Sequence, residues 1–165
     1  MNLSTRCLVV LVLLATFWCA GILGAPLLRH AGYQELSSQF YSFYARICHQ
    51  DDACCFHIGG EKFGVCMRCT AIYFSFLAGV LLYAFTHRRT IMQIPKRWIL
   101  LAVTLPMVFD VGLNMLGIHA SSPATRLCSG ALFGVFVPWY VMPVFLDACE
   151  HLFHGKQIIH HSPES

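Results

Sequence analysis

The stretch ICHQDDACCFHIGGEKFGVCMRCT, residues 47–70, holds five of the nine cysteines and two of the nine histidines of this chain. Thiols and imidazoles gathered this closely can bind a metal ion, exchange disulfides, or staple the backbone. Cys48, His49, Cys66 and Cys69 supply three thiols and one imidazole, a standard donor set for a structural metal site, and C-x-x-C is the usual spacing for half of such a site. The cofactor expected on this reading is a transition metal: zinc, copper or iron. Adjacent Cys48 and His49 can share one ion only across a sharp turn, and Cys54, Cys55 and His57 stand near as substitutes. The redox alternative uses Cys66 and Cys69 as a dithiol. They open an apolar helix, where free N–H groups and the macrodipole favour a thiolate, and Arg68 between them adds positive charge. The third alternative is disulfides clamping the loop, as the oxidising side of a membrane would favour.

The elements that position these residues are membrane helices. The chain is 57% hydrophobic and only 12% charged, against about a quarter charged in ordinary globular domains. Four stretches, about 7–28, 69–86, 98–118 and 127–146, carry one formal charge among them, Asp110. Each approaches the roughly 20 apolar residues that a helix needs to cross the hydrocarbon core. Their continuous apolar character excludes barrel strands, which alternate. The expected fold is an all-α membrane protein, a single polytopic domain over 1–165 with four transmembrane helices. The first stretch has a basic start and small residues near Ala20 and Ala25, like a signal peptide, but its apolar run is long, so a retained anchor is expected.

Orientation follows from the loops. The 87–97 connection carries Arg88, Arg89, Lys96 and Arg97 with no acid, which marks it as cytoplasmic. Both termini are then cytoplasmic in a multi-pass cell-membrane protein, and the 29–68 loop with its cysteines faces outward. Within that loop Leu36, Phe40, Phe43, Tyr44 and Ile47 form one apolar helical face. Two placements are open for it: flat in the membrane interface, or packed on the bundle. Gly59-Gly60 marks a turn. The lipid bilayer is the first partner, a membrane or extracytoplasmic protein is a second, and nothing points to nucleic acid.

Asp110 is a functional candidate by default, because an ionisable group inside a membrane helix costs ~2.5–3.5 kcal/mol or more on insertion scales. Asn114 lies one turn above it and Pro106 one turn below, together a polar stripe running toward the loop. Asp110 is read as a carboxylate partner or relay, with Arg126 at the start of the fourth helix as its candidate cation; the alternative is a packing role. Gly130 and Gly134 form the G-x-x-x-G of a close helix contact. Pro138 and Pro143 are expected to kink the fourth helix. The tail histidines His151, His154, His160 and His161 read as a solvated cytoplasmic end.

CHQ at 48–50, CMRCTAIY at 66–73, FDVGLNMLG at 109–117 and RLCSGALFG at 126–134 together resemble an uncharacterised family of predicted prokaryotic integral membrane proteins, a domain of unknown function. The resemblance covers about residues 40–137. It implies that Cys48, His49, Gln50, Cys66, Arg68, Cys69, Thr70, Tyr73, Asp110 and Arg126 match the family pattern, whereas Cys54, Cys55 and His57 stand outside it and Ala71 replaces an expected glycine. It implies no activity. Four spans with an outward C-x-x-C are also similar to the quinone-linked disulfide-forming membrane oxidases, which carry a second cysteine pair where this chain has only Cys128. The expectation from the chemistry is an integral membrane protein holding a metal at an outward Cys/His cluster. The alternatives are a thiol–disulfide oxidoreductase or a disulfide-stapled accessory subunit.

Overall fold

The computed structural model describes residues 3–87, 96–118 and 121–158. Arg88, Arg89, His160 and His161, and the side chain of His154, lie outside the described residues. Five helices form: α1 (Leu3–His30), α2 (Gln34–Tyr44), α3 (Met67–His87), α4 (Arg97–Met115) and α5 (Pro123–Ile158). All but α2 are long and apolar enough to span a membrane, as the four charge-poor stretches predict. In lipid each backbone polar group must be satisfied within the protein, and a helix does so within a single segment.

α3 and α5 make the most extensive helix pair, and the glycines explain it. A Cβ on Gly130 would stand 2.7 Å from the Arg68 carbonyl oxygen, and one on Gly79 would stand 2.6 Å from that of Val135. One on Gly134 would collide with the Ile72 carbonyl and the Ser75 hydroxyl. Gly130 and Gly134 thus form the close helix contact read from their spacing. α4 packs chiefly on α5. It ends at Met115, shorter than the 98–118 stretch, because Gly117 adopts φ 70. There the Gly117 N–H reaches the Asn114 carbonyl and the Ile118 N–H reaches that of Leu113, the two bonds of a glycine-terminated helix end.

Between α2 and α3 the chain forms a 3-10 turn (Asp52–Cys54) and a two-stranded antiparallel hairpin, β1 (Cys55–Ile58) and β2 (Glu61–Cys66). The sequence reading gave the turn but not the strands. Gly59 and Gly60 take φ 59 and 86 between the paired Ile58 and Glu61, the two positive values that a tight hairpin turn requires.

α2 is divided between its two expected placements. Tyr44 is buried, with its hydroxyl donating to the Trp18 carbonyl at 2.8 Å, and Ser37 is buried, donating to that of Ala25 at 2.8 Å. Leu36, Phe43 and Ile47 remain about half exposed, an apolar edge of the kind that lies in a membrane interface. α2 and the hairpin therefore cap one end of the bundle, where α1 ends and α3 begins.

Candidate metal centre

Three of the four expected ligands converge at that capped end. The Sγ atoms of Cys48, Cys66 and Cys69 all lie within 4.8 Å of one another. Each arrives on a different element: Cys48 on the loop after α2, Cys66 at the last position of β2, and Cys69 in the first turn of α3. The β2–α3 junction has no linker, so strand and helix geometry together fix the C-x-x-C pair. The Thr70 hydroxyl holds the junction by donating to the Cys66 carbonyl at 3.0 Å. The Cys66 backbone N–H donates to the Cys48 sulfur at 3.2 Å.

Cys48 is only 7% exposed and belongs to an apolar cluster with Ile22, Tyr44 and Val65. Trp18 stands edge-on to Tyr44 and to Tyr73 at 5.5 and 5.6 Å between ring centroids. This dry, aromatic floor keeps water from one side of the sulfurs. Hydrogen bonds from the Cys66 and Cys69 thiols hold Cys48 far below the ordinary thiol range, against the opposing effect of burial. Burial, helped by the nearby Cys66 and Cys48 sulfurs, pushes Cys55 up to about 12.

The loop bearing Cys48 is pinned by Gln50. Its side-chain amide donates to the carbonyls of Tyr41 at 2.9 Å and Gly64 at 2.7 Å, while Lys62 Nζ donates to the Gln50 carbonyl at 3.0 Å. Gln50 adopts φ 49, left-handed backbone that these bonds stabilise. The sequence marked Gln50 only through the family pattern; its two-way amide was the signal for a positioning role. His49, by contrast, is exposed and stands outside the trio. Cys54 donates to Asp51 and His57 pairs with Asp52, both at 3.4 Å on the exposed surface. Cys128 is exposed on α5.

Asp110 is paired, but not as expected. Its carboxylate accepts from Arg68 Nη2 in a close ion pair, with side-chain exposures of 15% for Arg68 and 11% for Asp110. The same Nη2 lies 3.4 Å from the Ser121 hydroxyl. Arg126 instead donates from Nε to the Ser121 carbonyl at 3.2 Å, which corrects its assignment as the counter-charge. The reason is geometric: Arg68 leaves the first turn of α3 and reaches α4, whereas Arg126 folds back on the start of its own helix. Asn114 is exposed. Because α4 ends at Met115, Asp110 lies five residues from its end, about 7–8 Å at 1.5 Å per residue.

A helical bundle with four membrane-spanning helices and a thiol cluster at one capped end defines an integral membrane protein. Residues 48–140 match the model of the family described as "Predicted membrane protein (DUF2085)". An uncharacterised protein of Methanocaldococcus jannaschii is 31% identical over 145 residues, covering 85% of this chain and 92% of the relative. The chain belongs to this membrane-protein family. No solved structure matches it.

Proposed function

We propose that this membrane protein holds one soft transition-metal ion (zinc, copper or iron) through Cys48, Cys66 and Cys69. The observation that carries the reading is the mutual approach of the three sulfurs to within 4.8 Å. Thiolates around zinc at about 2.3 Å stand about 3.8 Å apart in a tetrahedron, so only a small contraction is needed. Thiolate-rich sites select such metals over hard cations. The N–H bond from Cys66 to Cys48 Sγ orients a ligand sulfur, as outer-shell donors do at metal sites. His49 stays a candidate fourth donor on its neighbouring position, and Asp110 acts through Arg68 as a positioning group, not as a ligand.

The same proposal sets the trio outside the cytoplasm, with both termini inside. Lys96 and Arg97 at the start of α4, with Arg88 and Arg89 before them in sequence, support this orientation. A second reading rests on the same approach of three free thiols to within 4.8 Å, with hydrogen bonds from Cys66 and Cys69 favouring the Cys48 thiolate; that is the pairing used in disulfide exchange. Metal analysis and a free-thiol count on protein purified anaerobically in detergent separate the two. We expect about one metal ion per chain, lost in Cys66→Ser and retained in Cys128→Ser. Metal-free protein whose disulfides exchange rapidly with a dithiol would favour the redox reading. Metal-free protein with inert disulfides would leave a stapled accessory subunit.

A further inference from the structure

The trio supplies three sulfurs, and a fourth lies against it unused. Cys55 opens β1 directly across the ladder from Cys66. Residues directly opposite in an antiparallel pair project to the same face, with Cβ atoms about 4.5–5.5 Å apart. Cys55 therefore sits on the hairpin face that carries the Cys66 sulfur into the trio, beside a register irregularity between Cys55 and His57, and its sulfur lies next to the trio but outside its 4.8 Å limit. It is 2% exposed, and no hydrogen bond to its thiol is found among the described residues.

We propose that Cys55, not His49, is the fourth ligand, so that the ion sits in a closed four-thiolate site formed by Cys48, Cys55, Cys66 and Cys69. This rests on the metal reading above and deepens it. The competing donor is poorly placed. His49 is exposed and lies outside the trio, on backbone that the three hydrogen bonds of Gln50 hold in place. Among the aromatic neighbours, the Tyr44 hydroxyl is already committed to the Trp18 carbonyl. Cys55 needs only to close onto the ion from the strand already paired with Cys66. Each ligand that is still a protonated thiol releases its proton on binding, and no oxidant or reductant takes part. Four protein ligands leave no open position, which is the mark of a structural site; a catalytic one keeps a place for water or substrate. The ion would tie the loop after α2, both strands and the start of α3 into one unit.

The test is cobalt(II) substitution of the full chain in detergent with thiols reduced, read by sulfur-to-cobalt charge-transfer absorption, which grows with each thiolate. Cys55→Ala is expected to lose about one quarter of that intensity, one thiolate of four, while His49→Ala leaves the spectrum unchanged. Because replacing a buried cysteine can perturb folding, the cadmium-113 NMR shift of the unmutated protein provides an arm without a substitution, and a shift in the all-sulfur range is expected there. An unchanged spectrum in Cys55→Ala, a loss in His49→Ala, or a cadmium shift typical of three sulfurs would overturn the assignment while leaving the three-thiolate site intact. Absence of any charge-transfer band in the unmutated protein with its thiols reduced would overturn the metal reading itself.

Discussion

At the scale of single residues, Arg68 ties the candidate site to a neighbouring helix. It lies between two proposed ligands, spans from α3 to α4, and meets Asp110 with both side chains mostly out of water. Breaking a buried pair from one side typically costs ~3–5 kcal/mol, because the remaining charge is left uncompensated. Asp110→Asn and Arg68→Gln should each lower thermal stability in detergent by an amount of that order. The double variant should recover part of the loss, since neither charge then remains. Strictly additive losses would mean that the two residues act separately. Asp110→Asn combined with Arg126→Gln should show no such recovery, because Arg126 is engaged with the Ser121 carbonyl. The sequence made the need for a cation legible but not its identity: Arg68 and Arg126 both stand at helix mouths, and only the structure shows Arg68 reaching across to Asp110 on α4 while Arg126 turns back to the Ser121 carbonyl. The three thiols were legible by type and spacing. Cys55 was named among several substitutes, because strand pairing, which singles it out, leaves little trace in a four-residue strand.

At the scale of elements, the site depends on two small devices. One is the hairpin, which carries Cys66 straight into α3. The other is the glycine seam that lets α5 approach α3 over Gly79, Gly130 and Gly134. Gly130 faces the Arg68 carbonyl, so this seam sits immediately behind the C-x-x-C turn. Gly134→Leu would force a side chain into the Ile72 backbone and is expected to cost ~1–3 kcal/mol, the usual range for overpacking a tight interior. Leu132→Ala, on an exposed part of the same helix, should cost far less; equal shifts in unfolding temperature would argue against the seam. The four spans were readable because lipid demands long apolar runs. The hairpin was not, because its strands mix Phe56, Ile58, Phe63 and Val65 with Glu61 and Lys62 over too few residues to establish an alternation. α4 ends three residues before its apolar stretch does, because hydropathy does not register the left-handed turn at Gly117. α2 had two readings because the helix has two working edges: Tyr44 and Ser37 dock on α1, and Leu36, Phe43 and Ile47 stay outside.

Across the whole molecule, the chemistry is confined to one end. α2, the hairpin and the first turn of α3 form a polar cap over four spans whose outer surfaces are apolar, and the thiol trio lies where cap and spans meet. α5 is the longest element, 36 residues, or about 54 Å at 1.5 Å per residue, so it extends past the bundle at the opposite end. On the proposed orientation a single cysteine placed at Ser38 in an otherwise cysteine-free variant should label from outside intact cells, and one at Thr90 only after the membrane is opened. Labelling of both from the same side would contradict the single crossing, α3, that separates the two positions.

The central claim is that the three converging sulfurs hold a metal. X-ray absorption at the metal edge of anaerobically purified, full-length protein tests it most directly. The account predicts a first shell with at least three sulfurs, at about 2.3 Å for zinc, and a fourth where Cys55 closes the site. A metal bound through nitrogen and oxygen only, or fully reduced protein that takes up no zinc, copper or iron, would contradict it.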